Sequence, residues 1–229
     1  MTYPRSQPSS LRRIVLQLAS VAMITAIMPS LSWGSSYDDF FKAAKMDDAR
    51  TMEALLKRGF DPNTIESDRG DTGLILALRE KSMSVVALLL DSPRINLEAK
   101  SGNGDNALMI AAFNGNKSAV EMLLKKGAAV NRPGWTPLHY AAASGDQSIA
   151  KMLLDRSAEV NALSLNKTTP IMMAARSGDI LMVKLLLDAG ADASLKNDQG
   201  MTAIDFAREA NAKDIVDGLT FRLQRAGKL

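Results

Sequence analysis

One histidine, His139, and no cysteine set the limits of the chemistry open to this 229-residue chain. Histidine can act as a general base or a metal ligand near neutral pH. Either role needs company: a nucleophile and an orienting group within reach, or further ligands. None converges on His139 in the sequence. The competing role is structural, a hydrogen bond to backbone and to Thr136 three residues earlier. The lack of cysteine removes disulfides, zinc–thiolate sites, thiol nucleophiles and the lipidated cysteine of a lipoprotein. There is no phosphate-cradling Gly-Lys-Ser/Thr loop, nucleophile elbow or dinucleotide fingerprint. Asn103-Gly104-Asp105 and Asp192-Ala193-Ser194 resemble calcium-loop fragments, but their spacing fits turn tips better. Ten methionines follow residue 34, and a sulfoxide cycle could use them. Met109, Met122, Met152, Met172 and Met182 fall at core-like helical places, so core filling is expected instead. No enzymatic activity and no cofactor are expected.

The element that holds His139 is more informative than the histidine. Thr136 can cap a helix through its hydroxyl. Pro137 then takes the first helical position, where a missing N–H costs nothing. Leu138 faces inward, and Ala141 and Ala142 allow close helix packing. Gly145 ends the helix in the left-handed region. A second helix follows and carries Leu153-Leu154. The stretch reads as a hairpin of two short helices.

The same stretch recurs. Thr169 and Pro170 open a copy 33 residues after Thr136, with Gly178 in the place of Gly145. Thr202 opens another, 33 residues further on. Asn106 and Thr72 open earlier copies, and a degenerate one begins near Asp38. The leucine pair keeps register as Leu55-Leu56, Leu89-Leu90, Leu123-Leu124, Leu153-Leu154, Leu186-Leu187 and Leu219-Thr220. The turn position is Gly115, Gly145 or Gly178 in three copies and Asp47 or Asn211 in two, whereas Lys81 departs from the rule. A repeat of this length marks a solenoid, in which each unit buries its apolar face on its neighbours.

The Thr-Pro-Leu-His-x-Ala-Ala motif, the period and the Gly190-Ala191-Asp192 turn resemble the ankyrin repeat family over about residues 37–225. The resemblance implies an all-α repeat solenoid: six helix-turn-helix units with β-hairpin fingers and degenerate caps at both ends. The units fall near 37–66, 67–100, 101–130, 131–163, 164–196 and 197–225. It also implies a scaffold that binds one or more proteins through its finger tips and the exposed side of the first helices. Carried onto this chain, that surface includes Arg79, Phe113, Arg132, Trp135 and Arg176, with Asp71 and Asp105 at finger tips. Phe113 and Trp135 stand out, because aromatics and arginines carry most interface energy. Trp135 could instead pack along its own finger. Thr136, Pro137, Leu138, His139, Gly145, Thr169, Pro170 and Gly178 are the positions that build the motif.

Regularity fails in a few places. The step from Val130 to Thr136 is six residues, against nine from Val160 to Thr169, so the finger between units three and four is short. Gly73 stands where proline is usual. The last unit has Asp205 and Arg208 at usually small or apolar places, and its basic tail, Phe221 to Leu229, is expected to fray. Arg58, Lys126, Arg156 and Arg222 recur near the ends of second helices, either as a solvated face or as a basic column for an acidic partner.

Residues 1–34 lie outside the repeat. Arg5, Arg12 and Arg13 precede a mostly apolar, uncharged run from Ile14 to Met28, then Pro29 and the small residues Ser32 and Gly34. This is the pattern of a secretory signal peptide cut after Gly34, or after Ser32 as second choice. The alternative is an uncleaved anchor, although the run is shorter than the ~20 residues a spanning helix needs. The leader holds three of the 28 basic residues and none of the 25 acidic ones, leaving 25 of each in residues 35–229. The pI of about 9.1 therefore belongs mostly to the leader. Nucleic-acid binding loses its main electrostatic argument. The mature chain, 35–229, is expected to be a monomer in the bacterial periplasm, without stable membrane insertion. A secreted effector that binds a host or neighbour-cell protein is the alternative.

Overall fold

Every turn between paired helices needs a residue in the left-handed region, and six residues supply it: Asp47, Lys81, Gly115, Gly145, Gly178 and Asn211, with φ between 54° and 77°. The computed structural model describes residues 33–229, so the expected leader, 1–34, lies almost wholly outside the described residues. Among the described residues there are twelve helices in six pairs, each joined by two or three residues. They are α1 (Trp33–Met46) and α2 (Ala49–Lys57), α3 (Gly73–Arg79) and α4 (Met83–Asp91), α5 (Ala107–Phe113) and α6 (Lys117–Lys125). Then come α7 (Pro137–Ser144) and α8 (Gln147–Leu154), α9 (Pro170–Ser177) and α10 (Ile180–Asp188), α11 (Ala203–Glu209) and α12 (Lys213–Arg225). Lys81 keeps the left-handed turn at φ 61° although its side chain penalises that conformation.

Caps explain where the second helices start. Asp48, Asn116, Asp146 and Asp179 each accept a backbone N–H of the following first turn. Ser82, at the start of α4, does not. Asp47 of the preceding unit does so instead, accepting from Val85 N and from Ser84 Oγ, both at 2.9 Å. A cap has become a bond between units.

The units stack in two rows. Helices α3, α5, α7, α9 and α11 pack in series, and so do α2, α4, α6, α8, α10 and α12. Ala77, Ala111, Ala141, Ala174 and Ala207 are fully buried on the first row. Leu55, Leu89, Leu123, Leu153, Leu186 and Leu219 are buried on the second.

The ends are fitted differently. Phe40 packs against Phe41 and Phe60, with ring centroids at 5.2 and 4.7 Å. A Cβ on Gly73 would lie 2.5 Å from the Phe40 ring, so proline there would force the buried ring to move. In the last helix pair Arg208 is exposed and pairs with Asp205 at 2.8 Å. The tail, expected to fray, instead continues the last helix. Helix α12 runs to Arg225, and Lys228 N donates to Leu223 O while its Nζ pairs with Asp192, at 2.9 and 2.8 Å.

The fingers are tight turns rather than hairpins with strands. One isolated bridge, Ile65 to Thr72, is present among the described residues. Ser101 N donates to Asp105 O, Ser164 N to Thr168 O and Asn197 N to Met201 O, at 2.8 to 3.0 Å. A second backbone bond crosses each of these five-residue tips, from Gly104 N to Ser101 O, Lys167 N to Ser164 O and Gly200 N to Asn197 O, all at 2.9 Å. Neighbouring fingers touch where Gly102 N donates to Arg69 O at 2.9 Å; a Cβ on Gly102 would lie 2.6 Å from that oxygen. The short finger at 131–135 closes no such backbone bond.

Two stability measurements follow from this arrangement. Leu153→Ala, in a unit packed on both sides, should cost about 2–5 kcal/mol, and Leu219→Ala, in the end unit, should cost less although it is equally buried. Equal losses in urea titration would contradict the stacked coupling. Lys81→Gly should stabilise the protein by up to about 1 kcal/mol by relieving the left-handed strain; a lower denaturation midpoint would show that the lysine makes a compensating contact.

Candidate functional site

Helix α7 begins with a reciprocal cap that fixes the candidate site. His139 Nδ1 accepts from Thr136 N at 3.1 Å and lies 2.9 Å from Thr136 Oγ1. An acceptor Nδ1 puts the ring proton on Nε2, which donates to Thr168 O of the next unit at 2.9 Å. His139 is fully buried. Burial holds its pKa down to about 4, so the ring is neutral at pH 7. Both ring nitrogens are engaged, one within the unit and one across units.

The same position in other units shows what the histidine replaces. Asp205 accepts from Thr202 N and Oγ1, both at 2.8 Å. Met172 offers only its sulfur to Thr169 N at 3.4 Å, and the buried Thr169 hydroxyl has no partner at hydrogen-bond distance.

Cap geometry then places the aromatics. Trp135 precedes the capping residue and lies edge-on to His139, with centroids 5.1 Å apart. Tyr140 follows His139 and meets Trp135 at 6.4 Å and Phe113 of α5 at 6.1 Å, each ring near perpendicular to its neighbour. With Ala143 and Met173 they line a small, mostly apolar pocket of about 180 Å³. Phe113 is 55% exposed at its rim. Beside the short finger Phe113 is thus exposed, while Trp135 and Tyr140 are half-buried.

Beneath the rings runs a polar chain across three units. The Tyr140 hydroxyl donates to Asp105. Burial and that neighbouring carboxylate push the tyrosine pKa up, so it stays a donor. Arg79 pairs with Asp71 at 2.8 Å and reaches Asp105 at 3.8 Å. Arg132 Nη1 donates to Gly104 O at 3.1 Å and lies 3.0 Å from Met109 Sδ.

Of the expected binding residues, Phe113 and Trp135 are brought together. Arg79 and Arg132 are half-buried and occupied by internal partners. Asp71 is fully buried rather than at a tip. Arg176 is exposed on α9, three residues on from Met173, and does not line the pocket. Sequence reasoning missed Tyr140 and Met173. The signal for Tyr140 was an aromatic ring in the variable place of the motif. Among the described residues, no three acidic or histidine side chains are grouped to hold a metal, and no helix is long and apolar enough to cross a membrane.

Comparison with known proteins matches this geometry. Models described as ankyrin repeats fit residues 40–133 and 91–164, and residues 152–207. A putative ankyrin repeat protein of fowlpox virus is 36% identical over 103 residues, covering 43% of this chain and 30% of its own length. One from Rickettsia felis is 41% identical over 78 residues, covering 34% of this chain and 25% of its own. The human transient receptor potential cation channel subfamily A member 1 is 31% identical over 102 residues, which is 43% of this chain and 9% of that protein. The chain thus spans less than a third of these relatives. The solved ankyrin repeat domain of Bcl-3 superposes with a TM-score of 0.65 at 28% identity, covering 78% of this chain and 81% of that one.

The buried histidine makes stability depend on pH. Its folded pKa lies below the ordinary 6.5, so the unfolded chain binds the extra proton. The neutral ring's contribution is complete above pH 6.5 and is lost as pH falls toward 4. At about 1.4 kcal/mol per tenfold of proton affinity, some ~3 kcal/mol should go between pH 7 and pH 4. His139→Gln should flatten that window, because no other histidine titrates there. An unchanged pH slope in the variant would contradict the neutral, doubly bonded ring.

Proposed function

The chain belongs to the ankyrin repeat family, and we propose that it is a non-enzymatic protein-binding module of the bacterial periplasm, supporting a stress-defence or envelope protein. The observation that carries the binding face is the uncovered aromatic pocket: Phe113 exposed beside Trp135 and Tyr140, at the one finger that is cut short. A partner side chain entering there would cover both rings and displace water from an apolar surface. The arginines beneath are held by Asp71, Asp105 and backbone, so their part is to keep the rings in place. The balance of 25 basic and 25 acidic residues in 35–229 supports a protein partner over nucleic acid. Support for the compartment is the leader pattern of Arg12-Arg13, an apolar run and small residues at the expected cut.

Two measurements test this reading. Osmotic shock should release a protein whose intact mass begins at Ser35; a membrane-bound chain that retains Met1 or Thr2 would overturn the export. For the face, Phe113→Ala and Trp135→Ala should each cost about 2 kcal/mol or more in titration calorimetry with a partner captured from periplasmic extract. Lys126→Ala removes only an exposed ion pair with Asp91 and should change affinity little. Full affinity in both aromatic variants, with folding confirmed by circular dichroism, would move the interface elsewhere.

A further inference from the structure

A second, larger hollow lies on the other row of helices. Between α10 and α12 runs an open groove of about 530 Å³, lined by none of the residues of the aromatic pocket. One lining residue, Gly218, departs from the repeat. Sixteen places after the anchor of units two to five stand Leu88, Met122, Met152 and Leu185, each half-buried and packed on the core. The sixth unit has Gly218 there. A Cβ on Gly218 would meet nothing within 4 Å. Its φ lies outside the left-handed region, so no backbone constraint calls for glycine. Inside a 13-residue helix glycine is disfavoured against alanine, because it loses more backbone freedom on folding. The side chain that would fill the groove is simply missing.

The lining combines apolar and basic side chains. Val183, Leu187, Ile215 and Leu219 line it, while Ile180 and Phe221 stand half or more exposed at 50% and 62%. The charged lining residues are Lys184, Arg222 and Arg225 against the single acid Asp214. The Arg225 guanidinium lies over the Phe221 ring, 5.7 Å from its centroid.

We infer that this groove binds an amphipathic helical segment of a partner protein, whose large apolar side chains enter beside Gly218 and whose acidic flanks face Lys184, Arg222 and Arg225. Charge complementarity selects this occupant. A second copy meeting face to face would set the same three cations against themselves. A lipid surface would bridge a concave groove and leave its floor unfilled. The site is separate from the aromatic pocket and does not rest on the reading of that face.

The test uses the whole chain and a labelled synthetic helix of about 16 residues, with leucines at three- and four-residue spacing and glutamates on the flanks. Fluorescence anisotropy should show saturable binding. Gly218→Leu should fill the groove, weaken binding by about tenfold or more, and raise the denaturation midpoint, which a merely damaged fold cannot do. Phe221→Ala and R222E/R225E should weaken binding similarly, whereas Phe113→Ala and Trp135→Ala should leave it unchanged. A peptide with lysine in place of glutamate should bind at least about tenfold more weakly. The inference is overturned if Gly218→Leu keeps full affinity or if the lysine peptide binds equally. It is also overturned if phosphatidylglycerol vesicles bind in preference to the peptide, or if the chain forms a dimer that Gly218→Leu dissociates.

Discussion

No unit of this chain can bury its own apolar face. In the four middle units both helices have only seven to nine residues, too few to stand alone, so each pair depends on the pair beside it. Everything else in the fold serves that contact. Buried alanines let the first helices approach, and one fully or nearly buried leucine per unit fills the second row. Polar groups are drawn into the same task. His139 reaches from its own cap to Thr168 of the next unit, and Asp47 caps a helix in the unit after its own. A hydrogen bond that serves a helix end and a unit junction at once couples local order to stacking.

The periodic part of this architecture was legible in the sequence because it obeys one spacing. The first leucine of each pair and the small residues at the helix approach recur in register and are buried by the stack, while Leu56, Leu154 and Leu187, second in their pairs, are half-buried. What escaped depends on partners brought together from different units. Arg79 reads as an exposed binding residue, but Asp71 and Asp105 turn it inward. The basic tail reads as frayed, but Lys228 finds Asp192, whose pKa is held down to about 2 mainly by that lysine. Gly73 looks like a lapse from the repeat until Phe40 is seen against it. Lys81 shows the converse: the turn geometry is imposed by the helices on both sides, and the residue complies at a cost.

Function in such a scaffold is carried by departures from the repeat, since the regular positions are consumed by stacking. Two departures leave apolar surface without a covering side chain. Beside the shortened finger Phe113, Trp135 and Tyr140 line a pocket on one row. Gly218 lines the groove on the other. Both lie beside polar groups that fix their walls, Asp105 under Tyr140 and Arg225 over Phe221.

The central claim is that stability passes from unit to unit through specific junctions. Residue-resolved native-state hydrogen exchange on the wild type and on His139→Ala tests it most directly. Amides of α5, α7 and α9 in the wild type should exchange only with opening of the whole stack. In the variant, α9 to α12 should lose protection while α3 to α6 keep theirs, because the cut bond joins unit four to unit five. Protection lost evenly along the chain, or only within α7, would contradict a stack held together junction by junction.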